Sequence, residues 1–127
     1  MTEATAHDDT AGGGPEALTF DTRTPNSARM WNYWIGGKDN YAADRAAAEA
    51  VIAAFPVLPV IARQTRRFLV DVVQQLAADH GVRQFLDIGT GLPTADNTHE
   101  VAQRVAPDSR VLYVDNAPSF LPTPGRC

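Results

Sequence analysis

The sequence predicts an α/β fold: a helical segment followed by the first two parallel strands of an open, doubly wound sheet. Three observations predict it. Phe85-Leu86-Asp87-Ile88 is a short apolar run that breaks at Gly89-Thr90-Gly91. A second run, Val111-Leu112-Tyr113-Val114, ends on Asp115, and the stretch between the two holds one helix. Strand, glycine turn, helix and strand in that order require a parallel crossover, which is right-handed in nearly all sheets.

The elements follow in chain order. Residues 1–19 are rich in Thr, Ala, Asp and Gly and poor in large apolar groups, so they cannot bury enough surface to offset their ordering entropy and read as a disordered tail. Ser27 is placed to cap a short helix through Trp34, ending at Gly36-Gly37, with Trp31, Tyr33 and Trp34 as its aromatic anchor. Asp39 or Asn40 is placed to cap an Ala-rich helix from Tyr41 to Phe55 that Pro56 ends. A longer helix is expected from Pro59 to His80, where Ile61, Thr65, Phe68, Leu69, Val72, Val73 and Leu76 recur at helical spacing and predict one buried face. Arg63, Arg66 and Arg67 on the same helix read as a solvated basic face.

Gln84 to Ile88 is the first strand, Asn97 to Val105 a helix capped by Asp96, and Arg110 to Asp115 the second strand. Pro118, Pro122 and Pro124 preclude a useful helix beyond Phe120. The chain therefore divides into a tail (1–19), a helical segment (20–83), the start of a cofactor-binding sheet domain (84–116) and an irregular tail (117–127).

Composition limits the function. The 127 residues carry a net charge of −4, which argues against nucleic acid as a partner. The one cysteine is Cys127, so there is neither an internal disulfide nor a cysteine metal site, and no His, Asp or Glu spacing suggests a metal. No signal peptide or membrane-spanning run is evident, and a cytoplasmic setting is expected. His99 reads as a solvated or helix-capping histidine rather than a base.

The chemistry lies in the turn. Glycines after a parallel strand let main chain approach a nucleoside cofactor, and an acid at the tip of the next strand accepts ribose hydroxyls; Asp115 occupies that place. A dinucleotide site prefers a third glycine three residues past the second, where this chain has Thr94, so a nicotinamide-dependent oxidoreductase is disfavoured. S-adenosylmethionine carries no phosphate, and the acidic Asp87 at the strand end is compatible with its cationic groups.

The blocks Trp34-Ile35-Gly36-Gly37-Lys38-Asp39-Asn40-Tyr41-Ala42-Ala43-Asp44-Arg45 and Gln84 through Thr94, with Asn97, His99-Glu100-Val101-Ala102 and Tyr113-Val114-Asp115-Asn116, resemble a bacterial family of S-adenosylmethionine-dependent methyltransferases over about Phe20 to Asn116. The resemblance implies a class I, Rossmann-like fold of seven strands, of which only the first two are present, after an N-terminal helical segment. It implies that Gly89, Thr90 and Gly91 form the cofactor turn and that Asp87 lies beneath the methionine part. Asp115 and Asn116 would hold the ribose and adenine side, and Gly37, Lys38 and Asp39 would close over the methionine end. No catalytic residue and no methyl acceptor follow from it.

The family pattern has an acid before the proline after the second strand, whereas this chain has Asn116-Ala117-Pro118. The resemblance ends there. The expectation is a truncated methyltransferase that binds its small-molecule methyl donor weakly or not at all. The alternative is a non-catalytic remnant or a partner-dependent fragment that self-associates through its uncovered sheet edge.

Overall fold

The computed structural model describes residues 21–116, so both predicted tails lie outside the described residues. Four helices and two strands follow in order: α1 (Ser27–Trp34), α2 (Ala42–Ala54), α3 (Leu58–Ala78), β1 (Gln84–Ile88), α4 (Thr98–Val105) and β2 (Arg110–Val114). The strands pair in parallel, from Gln84 opposite Arg110 to Ile88 opposite Val114. Every predicted element is present.

The caps differ from expectation, each for a local reason. Asn26, not Ser27, caps α1: its Oδ1 accepts from the amides of Ala28 (3.0 Å) and Arg29 (3.3 Å). The Asn26 amide is itself held by Asp44 at 2.9 Å, in the extended backbone a cap requires. Neither Asp39 nor Asn40 caps α2, because both are drawn to Asn32: its Oδ1 accepts from the Asp39 amide (3.0 Å) and from Asn40 Nδ2 (2.9 Å). Tyr41 takes the cap position, and Asp44 in the first turn reaches back to its amide at 2.8 Å. At α4 the cap is Asn97 rather than Asp96. Glu100 accepts from the Asn97 amide at 2.8 Å, while Asp96 adopts a left-handed φ of 57° and pairs with Arg104.

Pro56 ends α2, and α3 leaves at 105° to it. The buried line on α3 is displaced from the predicted one. Ala62, Val73 and Ala77 are buried and Leu69 and Val70 partly so, but Phe68 is 68% exposed, and Ile61 and Thr65 are exposed too. Val72 and Leu76 of the predicted face are half-buried as well, so the prediction holds toward the C-terminal end of α3, and the shift toward Ala62 is confined to its first half.

The core is thin. Val73, Val101 and Ala102 form it, with Leu69, Val70, Phe85 and Val111 against them. The largest fully buried side chains are Val101 and Asp44. Asp44 is therefore a structural centre. Its Oδ2 receives Arg29 Nε at 2.7 Å, and Arg29 Nη2 donates to the carbonyls of Asp21 (3.1 Å) and Thr24 (2.8 Å). Burial pushes the Asp44 carboxyl up, but Arg29 and the amides of Tyr41 and Asn26 outweigh it and hold the group below the usual carboxylate range. Arg29 also lies over the Tyr41 ring, 5.3 Å from its centre. One ion pair thus ties residues 21–26, α1 and α2 together.

Candidate functional site

The turn after β1 requires glycine at both ends because of backbone shape rather than crowding. Gly89 and Gly91 have φ of 73° and 70°, and a Cβ at either would meet nothing within 4 Å. The turn is bound to the tip of β2. The Gly89 amide donates to the Val114 carbonyl at 2.7 Å, extending the ladder, and the Gly91 amide donates to Asp115 Oδ2 at 2.6 Å. Thr90 Oγ1 closes the turn on the Asp87 carbonyl at 3.2 Å.

A cleft of about 360 Å³ opens in front of this turn. Gly89, Thr90, Gly91, Leu92 and Thr94 form one wall, with Asp115 and Asn116 beside them. The facing wall is α1, through Ala28, Trp31, Asn32 and Ile35, a three- and four-residue spacing that makes one helical face. Arg66 of α3 completes the lining. Five of the nine residues expected at the cofactor, Gly89, Thr90, Gly91, Asp115 and Asn116, thus share one cavity.

The other four lie elsewhere. Asp87 points beneath the turn, where its Oδ2 accepts from Thr98 Oγ1 at 2.6 Å at the start of α4. Gly37 braces Asn32: its amide donates to the Asn32 carbonyl at 2.8 Å, and a Cβ there would lie 2.3 Å from Asn32 Nδ2. Lys38 and Asp39 line a neighbouring cleft of about 400 Å³ with Arg29, Asn40, Tyr41 and Pro93. Leu92 walls both clefts.

Three residues at the site escaped the sequence reading of function. By sequence Arg66 belongs with Arg63 and Arg67 on a solvated face, yet its Nη2 donates to the carbonyls of Asp96 (2.7 Å) and Ala95 (3.3 Å), joining α3 to the segment before α4. Its position in the series Ala62, Arg66, Leu69, Val73, Ala77 was the available signal. Asn32, 2% exposed, is the second; its spacing from Ala28 and Ile35 marked it.

Tyr113 is the third. Its hydroxyl accepts the His99 amide at 2.8 Å and meets His99 Nδ1 at 2.6 Å, with the rings edge to face. The phenol thus bridges the main chain and the imidazole of one residue. Burial raises the Tyr113 pKa, helped by the charges of Asp87 and Glu100 and opposed by the His99 amide and Arg66. His99 therefore anchors the start of α4 to β2. Among the described residues no three metal-binding side chains gather, and no single helix is long and apolar enough to cross a membrane.

Comparison with known proteins bears on this architecture. A family profile described as S-adenosyl methyltransferase matches residues 14–124, wider at both ends than the motifs alone indicate. A crystal structure of a DUF574 family protein from Streptomyces avermitilis MA-4680 is similar at 54% identity and a TM-score of 0.75, covering 78% of this chain. A candidate methyltransferase from Thermobifida fusca YX is similar at 50% identity and a TM-score of 0.72, covering 75%. The chain spans 38% and 36% of those two proteins. No curated protein matches it. With the two-stranded parallel sheet, the glycine turn and a profile match over most of its length, the chain belongs to the S-adenosyl methyltransferase family.

Proposed function

We propose that this chain carries the donor-binding part of an S-adenosylmethionine-dependent methyltransferase, with the donor in the cleft between α1 and the glycine turn. The observation that carries this reading is the convergence of Gly89–Gly91, Asp115 and Asn116 with the Trp31 face of α1 on one cavity of about 360 Å³, a size suited to a small molecule. A phosphate-bearing cofactor is poorly served. The amides of Gly89, Gly91 and Thr94 are spent on Val114, Asp115 and Asn97, so they offer no cradle for a pyrophosphate.

In this reading Asp115 and Asn116 hold the ribose and adenine side, and the glycine turn lets main chain approach the nucleoside. Asp87 stabilises the turn from beneath, toward the methionine part. Gly37 sets Asn32, and Lys38 and Asp39 act as a lid from the adjoining cleft. The bound donor supplies a methyl group already activated on sulfonium, so the protein's task is alignment and exclusion of water. Calorimetric titration with S-adenosylhomocysteine tests this. Saturable heat in the micromolar to high-micromolar range is expected, and its absence there overturns the reading.

A second reading has its own observation. Leu86, Ile88, Leu112 and Val114 are 60%, 72%, 64% and 46% exposed on one face of the sheet, which favours a non-catalytic remnant or a piece that folds only beside a partner covering that face. Sedimentation decides: self-association or poor solubility supports it, and a compact, cooperative monomer excludes it.

A further inference from the structure

Two residues that line the cleft each carry a buried hydrogen-bond donor with no partner among the described residues. Asn32 Nδ2 and Arg66 Nε are both inaccessible and unbonded, and both residues line the cavity in front of the glycine turn. The Asn32 amide orientation is settled by its neighbours: the Asp39 main-chain N–H and Asn40 Nδ2 both donate to it, so the atom facing them is the oxygen and the NH₂ is left over. On Arg66 only Nη2 is engaged within the described residues. A buried donor without an acceptor is costly, and an unpaired guanidinium edge more so. Such a pair is explained by an acceptor that arrives with a ligand.

The charges of the lining indicate which acceptor. Among the described residues of the lining, Arg66 is the cation and Asp115 the anion, and Asp115 already receives the Gly91 amide. Resting on the donor-site reading above, we infer that Arg66 and Asn32 bind the α-carboxylate of the methionine end of the donor, the one anionic group that molecule carries. Arg66 supplies charge and Asn32 a neutral N–H, while Asp115 keeps to the nucleoside. Because Arg66 Nη2 also holds the Ala95 and Asp96 carbonyls, carboxylate binding would further order the segment leading into α4.

The test compares two ligands that differ at the methionine end: S-adenosylhomocysteine, which has the α-carboxylate and α-ammonium, and 5′-methylthioadenosine, which lacks both. The carboxylate is the group a guanidinium attracts, so loss on removing the Arg66 charge reports it rather than the ammonium. Ligand-observed NMR titration of the wild type, Arg66→Gln, Arg66→Lys and Asn32→Asp gives the affinities. Asn32→Asp retains the acceptor that Asp39 and Asn40 need while replacing the free donor, and thermal melting checks that each variant folds. Arg66→Gln and Asn32→Asp should each weaken S-adenosylhomocysteine by roughly tenfold or more, as loss of a charge-assisted bond does, with methylthioadenosine changed less than about twofold and Arg66→Lys in between.

Equal loss for both ligands would show that these residues only brace the fold or touch the adenosine, and would overturn the assignment; so would no loss for either. If the wild type binds methylthioadenosine as tightly as S-adenosylhomocysteine, the donor site stands and the carboxylate assignment fails. If it binds neither, the donor-site reading itself fails.

Discussion

On one face of the β1–β2 pair, Phe85 and Val111 pack against the Val73–Val101 core, and the next pair along, Asp87 and Tyr113, bonds to Thr98 and His99 at the start of α4. On the other face, Leu86, Leu112, Ile88 and Val114 form an apolar block with nothing packed on it among the described residues. The covered face changes from apolar to polar along its length, toward the cleft. The bare face stays apolar up to the turn. A sheet with one wet face alternates apolar with polar residues, whereas parallel strands covered on both sides are apolar throughout. These strands have the second composition and, within residues 21–116, only the first kind of cover.

The largest effect should come from neither face, and it calibrates both. Asp44→Asn leaves Arg29 buried beside a neutral amide and should cost about 3–5 kcal/mol in urea denaturation. The folded Asp44 carboxyl is held below its unfolded value near 4. Its contribution is therefore full above about pH 5 and lost as pH falls through the folded pKa, and in Asp44→Asn that acid loss should be shallower. A variant as acid-sensitive as the wild type would remove Asp44 from the explanation.

Phe85→Ala on the covered face should cost about 3 kcal/mol, while Leu86→Thr on the bare face should stay within about 0.5 kcal/mol. That contrast in denaturation midpoints is the direct test of the comparison. Should Leu86→Thr prove as costly as Phe85→Ala, the bare face is covered in solution, and concentration-dependent melting would identify a second copy as the cover.

Tyr113→Phe sharpens the polar end. It orphans the His99 amide and should cost about 1–2 kcal/mol. Because the phenol pKa is raised in the fold, the wild type should also lose stability as pH climbs past about 10. The phenylalanine variant should lose less there, and identical alkaline profiles would show that Tyr113 contributes little.

Local chemistry was legible in the sequence to the extent that neighbours along the chain decide it. Both strands, their parallel order, the glycine turn and the four helices follow from apolar period, proline and glycine, because helices and turns are set over a few residues. The acid after β2 could be placed beside the turn because parallel register brings strand tips together. What the tertiary structure alone decided were choices among equals. Asn26, Ser27, Asp39, Asn40, Asp96 and Asn97 can all cap a helix, and contacts with Asp44, Asn32 and Arg104 from distant positions selected among them. On α3 the predicted face is buried toward the C-terminal end, whereas in the first half, where α3 meets other helices, the buried line runs through Ala62 instead of Ile61 and Thr65, and Arg66 lines the cleft. Spacing along one helix shows which residues share a face but not what that face meets, since the partner surface comes from another part of the chain.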